Sequence, residues 1–129
     1  MANIKVSVLV REDLRLEKGL LSAQVSHIVM EKSRQFILDK RNIDEHLDFR
    51  DWLVKPYVYI HKVPNWEFLK YYQEKAILNN VEVNEWKDTI YLRASENQIQ
   101  AFDNVLVGIS LGPTDSDKIK SIIADLPLL

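Results

Sequence analysis

The sequence predicts an α/β fold of three layers, a mixed or parallel four-stranded sheet covered by helices on both faces. Two observations carry this. Segments of period-two apolar alternation are interrupted by segments of helical periodicity, in the order strand, helix, short helix, strand, helix, strand, strand, helix. Strands divided by helices favour a sheet buried on both sides. The chain has 129 residues, the size of one domain spanning residues 1–129 and enough to bury a core.

Ile4 to Arg11 alternates, with Ile4, Val6, Val8 and Val10 on one face and Lys5, Ser7, Leu9 and Arg11 on the other. The β-branched content makes it a strand, and a polar connection follows to Glu17. From Lys18 to about Phe36, Leu21, Val25, Ile28 and Val29 form an apolar helical face. Gln24, His27 and Glu31 fall on a neighbouring, more polar face. Residues 39–51 are charge-rich, with Leu47 and Phe49 the large apolar residues after Ile43, and read as a loop with a short helix.

Tyr57 to Lys62 is the second strand. Pro64 and Asn65 break it, and Asn65 suits a helix N-cap. The helix runs to about Leu78, with Leu69, Tyr72 and Ala76 inward, and Asn79-Asn80 stops it. Residues 81–88 show no clear period. Thr89–Leu92 reads as a short third strand, and Asp88 as a turn residue before it. Val105–Leu111 is the fourth strand, ended by Gly112-Pro113. Thr114 is expected to cap a last helix, with Asp115 and Asp117 at its positive end. Its inward stripe is Ile119, Ile122, Ile123 and Leu126.

Composition excludes several chemistries. There is no cysteine, hence no disulfide, thiolate nucleophile or thiolate-bound metal. Three glycines, at 19, 108 and 112, form no phosphate-binding loop or dinucleotide fingerprint. His27, His46 and His61 lack the spacing of a helical zinc pair. No metal or cofactor is called for. No apolar run reaches the ~20 residues of a membrane span, and the first residues lack a signal-peptide layout, so a cytoplasmic address and no membrane partner are expected. The net charge of −2 means that contact with nucleic acid has to come from a local basic patch.

At Arg11, Asp13, Leu14, Lys18, Gly19, Ala23, Gln24, Ser26 and His27 the sequence resembles the opening of the type II peptidyl-tRNA hydrolases: a strand, an Arg-x-Asp-Leu turn, Lys-Gly-Lys and a helix with Ala-Gln-x-(Ser/Ala)-His. Val58–Pro64 resembles the family's second strand and its terminal Lys, and Val107–Pro113 its last strand and Gly-Pro exit. The closing helix and its last residues, Asp125 to Leu129, are similar as well. The resemblance implies a mixed four-stranded sheet between helices, commonly a homodimer, that cleaves the ester joining a peptide to the 3′ end of tRNA.

The family's Asp-Ala-Gly-x-Thr-Gln-(Ile/Val) motif is matched less well. Its counterpart reads Arg93-Ala94-Ser95-Glu96-Asn97-Gln98-Ile99, with Arg in place of the acid and Asn in place of the Thr. The family's later Thr falls near Val105, and the second Lys of Lys-Gly-Lys is Leu20. This alignment is preferred because it continues without a gap to Pro113. Keeping the spacing from Pro64 instead puts Asp88 at the acid position, makes 81–88 the third strand and turns the residues after it into an insertion.

The resemblance therefore implies a catalytic set of Lys18, Lys62, Asn97 and His27, with Gln24, Arg93 and Gln98 contacting substrate. Lys18 stands at a helix start, where the macrodipole favours anions rather than cations; holding a tRNA phosphate or an oxyanion gives it a reason to be there. Lys62 is as readily a strand-end charge, and His27 more readily a buried, hydrogen-bonded histidine. Arg93 cannot take a proton but can bind phosphate or pair with Glu96. Trp52, Trp66 and Trp86 are expected to pack in the core or at its rim. Two functions fit: a peptidyl-tRNA esterase, or an inactive relative that binds tRNA or a protein partner.

Overall fold

A computed structural model describes residues 3–38 and 46–128, and of residues 92–94 the backbone. The described residues form four strands and four helices, in the order β1 (Ile4–Arg11), α1 (Lys18–Leu38), α2 (Leu47–Val54), β2 (Val58–Val63), α3 (Trp66–Leu78), β3 (Val83–Ser95), β4 (Gln98–Asp115) and α4 (Ser116–Ile123). The sheet order is β2-β1-β4-β3. β1 runs parallel to β2 and antiparallel to β4, and β4 antiparallel to β3. The sheet is mixed and the fold α/β, as the sequence predicts.

The alternation of β1 divides the core. Val6, Val8 and Val10 pack with Ile28 and Phe36 of α1 and with Phe49 and Trp52 of α2. Leu9 joins the other cluster, with Leu69, Tyr72 and Ala76 of α3 and Ile119, Ile122 and Ile123 of α4. Each such fully buried aliphatic side chain stabilises the fold by about 1.5–3 kcal/mol. Gly108 lets these layers close: a Cβ there would lie 2.5 Å from the Leu9 carbonyl oxygen and 2.9 Å from Ile28 Cδ1.

Several boundaries differ from expectation. β3 begins at Val83 and β4 at Gln98, so Asp88 lies within a strand and residues 89–104 form a β-ribbon arm. The register with β1 runs from Val10↔Gly108 to Ile4↔Asp115, so the arm overhangs the sheet. Its β4 half is exposed from Gln98 to Asn104; a wet ribbon needs no apolar alternation, and none marks it. Asp115, not Thr114, caps α4, accepting from the Asp117 N–H at 2.8 Å. Thr114 is still in β4, opposite Lys5. The short helix predicted within 39–51 is α2; residues 39–45 lie outside the described residues. Asn65 caps α3 as predicted, its Oδ1 accepting from Phe68 N at 3.1 Å. Asn80, at φ 58°, turns the chain out of α3, a left-handed position that asparagine tolerates.

Candidate functional site

The parallel strands β1 and β2 end side by side, Val10 opposite Lys62 and Arg11 opposite Val63. Ligands of α/β sheets gather at the carboxyl ends of such strands. Arg11 serves as a clamp there: its guanidinium donates to both carboxylate oxygens of Asp13 at 3.0 and 2.8 Å, and to the Leu106 carbonyl at 3.1 Å. The chain then turns sharply, Arg15 N donating to Glu12 O at 3.0 Å with Arg15 at φ 50°. That left-handed backbone costs a non-glycine residue about 1–2 kcal/mol, and the turn brings Arg15 to a hollow of about 250 Å³ shared with Arg11, Glu12, Leu16, Leu21 and Lys62. Lys62 Nζ lies 3.8 Å from Glu12. Lys18 is exposed on the first turn of α1.

About 9 Å further along α1, at 1.5 Å per residue, Gln24 is buried at 3% exposure. Its Oε1 accepts from Trp86 Nε1 at 2.7 Å, and its Nε2 donates to Asp88 Oδ2 at 3.1 Å. An indole nitrogen can only donate and a carboxylate only accept, so the two neighbours fix which way the amide points. The other Asp88 oxygen accepts from Thr89 N at 2.8 Å. Asp88 is half-buried and faces Val105 across the β3–β4 ladder. Beyond Val105 a second hollow, of about 260 Å³, is lined by Arg11, Leu14, Ile90, Phe102 and Val105.

The residues singled out from sequence thus divide. Lys62 lines the hollow at the strand ends together with Leu21 of the first turn of α1. Gln24 faces inward rather than along a polar face, because Trp86 and Asp88 supply its partners. His27 is exposed rather than buried; its ring lies 5.2 Å from that of Trp86. Arg93, Asn97 and Gln98 belong to the arm, with Arg93 opposite Ile99 and Asn97 in the turn. Arg93 is five residues beyond Asp88, about 16 Å of extended strand. Trp52 is core, Trp86 sits at the rim, and Trp66 is exposed with Lys70 Nζ 5.7 Å from its ring centroid.

Two members of the polar cluster stand outside the catalytic and substrate-contacting set named above: Asp88, which the alternative spacing puts at the acid position, and Trp86, expected only to pack in the core or at its rim. For Asp88 the signal existed in the spacing from Pro64. For Trp86 there was none, because its partner is 62 residues away.

Among the described residues, no helix is long and apolar enough to cross a membrane. A sequence profile described as Peptidyl-tRNA hydrolase PTH2 matches residues 4–129. A protein of Sulfurisphaera tokodaii named Peptidyl-tRNA hydrolase is 32% identical over 131 residues, covering 97% of this chain and 98% of that protein.

Proposed function

The chain belongs to the peptidyl-tRNA hydrolase PTH2 family, and from this premise we propose that it hydrolyses the ester between a peptide, or an N-blocked amino acid, and the 3′ end of tRNA. The observation that carries the assignment of the site is Asp88, held by buried Gln24 directly across the ladder from Val105. Asp88 takes the family's acidic position in place of Arg93, and the arm is then the insertion.

In this reading the Asp88 carboxylate orients a water and receives its proton as the oxygen attacks the ester carbonyl. Gln24 and the Thr89 N–H keep the carboxylate aimed. Lys18, with Lys62 and Arg15 at the strand ends, holds tRNA phosphate and the developing oxyanion. The carbonyl–oxygen bond to the ribose breaks, the 3′ oxygen regains a proton, and the peptide leaves as a carboxylate. Hydrolysis of an activated ester asks less of the base than amide cleavage, so positioning contributes a large share. His27, beside Trp86, lines the approach. Arg93, Asn97 and Gln98 meet the substrate away from the ester. The protein works as one domain in the cytoplasm, and a homodimer is its proposed assembly.

The test is release of an N-acetylaminoacyl group from tRNA by the purified protein. Asp88→Asn should slow turnover at least ~100-fold, as loss of a general base does. Lys18→Ala should slow it at least ~10-fold. If Asp88→Asn turns over normally while Arg93→Asp gains activity, the acid position belongs to Arg93 instead. No turnover by the unaltered protein at high concentration leaves binding of tRNA or of a protein as its function.

A further inference from the structure

Helix α1 carries more apolar surface than its packing uses. Its buried residues, Gln24, Ile28, Lys32 and Phe36, follow one stripe. A second stripe runs beside it through His27, Met30, Arg34, Ile37 and Leu38, at helical spacing. Met30, Ile37 and Leu38 remain 70, 71 and 58% exposed. Together with Trp86 they wall a groove of about 550 Å³. Solvated helix faces are ordinarily polar, and apolar surface gathered in a groove marks a binding site.

We propose that this groove holds the peptide part of the substrate, an apolar nascent segment in extended form. The inference rests on the hydrolase reading above. Continuity comes first: Trp86, which lines the groove beside His27, donates its N–H to the Gln24 amide that holds Asp88, so one side chain links the groove to the proposed ester site. Charge comes second. The ionic groups in the groove, Glu31 and Arg34, neutralise each other at 2.7 Å, which suits an uncharged chain and gives nothing to phosphates. The cations for tRNA lie at the opposite end, at Lys18, Arg15 and Lys62. The substrate thus crosses the site with its nucleic acid towards the start of α1 and its peptide towards the end.

Length is the third argument. From His27 to Leu38 the helix advances about 16 Å at 1.5 Å per residue. That matches about five residues of extended peptide at ~3.3 Å each. β3, from which Trp86 projects, is the last strand of the sheet, and its outer edge offers backbone hydrogen bonds to a chain laid along it.

The experiment compares esters on one tRNA that share the same C-terminal residue: an N-acetylated single residue and N-acetylated peptides of three, five and eight residues rich in leucine. KM should fall at least ~10-fold from one residue to five, the equivalent of a few modest contacts, and then level off. Leucine replaced by aspartate upstream of the ester should abolish the gain. In Met30→Glu and Ile37→Glu, both surface changes with small expected effects on folding, the ratio of KM between one and five residues should approach one. A KM that ignores peptide length, or a length preference that survives both variants, overturns the proposal. So does a dimer by sedimentation that Ile37→Glu splits, which would assign the groove to a second copy. Absence of hydrolysis on every substrate, the single residue included, removes the hydrolase reading and this inference with it.

Discussion

Gln24 occupies a helix position where leucine would bury more apolar area, and its amide is used to join two side chains of β3. Replacing it with leucine keeps the volume but strips a partner from the Trp86 indole and from Asp88. An unpaired buried polar group costs about 1–3 kcal/mol. Gln24→Leu should lower stability by that amount in a denaturant titration and also slow ester hydrolysis, whereas a packing role alone would leave kcat intact. The sequence showed Gln24 as a family match but not which way it points. A helical period assigns polar residues outward, and the exception depends on partners from another strand. His61 is a second buried polar residue, on β2 opposite Leu9. Burial, aided by the charge of Lys5, holds its pKa below 6.5, against the backbone of Leu126 and Pro127. A depressed folded-state pKa means that the unfolded chain binds the proton more readily. Stability from this residue is therefore complete above pH 6.5 and declines as pH falls below it. The loss of melting temperature between pH 7.5 and pH 5 should shrink in His61→Phe; an identical loss would assign the acid sensitivity elsewhere.

Among elements, those with a buried face were legible and the arm was not. The period of α3 and its Asn65 cap, and the stripe of α4 through Ile119, Ile122 and Ile123, were visible because burial enforces periodicity. Residues 83–88 gave no pattern because β3 is an edge strand carrying Asn84, Glu85 and Lys87 among its apolar residues. Of the ribbon beyond, only Thr89–Leu92 is legible as a strand, for a related reason: Tyr91 and Ile99 stand in solvent beside Glu96 and Gln100, and no core sorts them. The same helices make a firm prediction. Tyr72 of α3 donates its hydroxyl to Asp125, just past α4, at 2.9 Å, and burial together with that carboxylate pushes its pKa up to about 12. Tyr72→Phe should cost about 1 kcal/mol in thermal or denaturant unfolding. No change would mean that water replaces the contact without loss.

For the molecule as a whole, charge and topology set different limits. A net charge of −2 leaves attraction for tRNA to a few cations at one end, Arg15, Lys18 and Lys62 in the proposed site. With about three phosphate contacts on a single-stranded end, KM should rise roughly 20-fold between 50 and 200 mM salt. A flat KM would argue that these cations do not meet phosphate. The order of the strands could not be read from the period of any segment, since it depends on which distant pieces meet.

The pairing of Ile4 with Asp115 joins positions at nearly opposite ends of the chain. While the protein is being synthesised, β1 can find β2 and the intervening α1 early, but its other edge must wait for β4. Domains assemble from the N-terminal side as they emerge, and non-local strand pairs form late. A chain interrupted before Val105 would therefore carry an apolar strand with one edge bare, a template for joining other chains. Synthesis of β4 is what closes that edge and makes the fold safe to release.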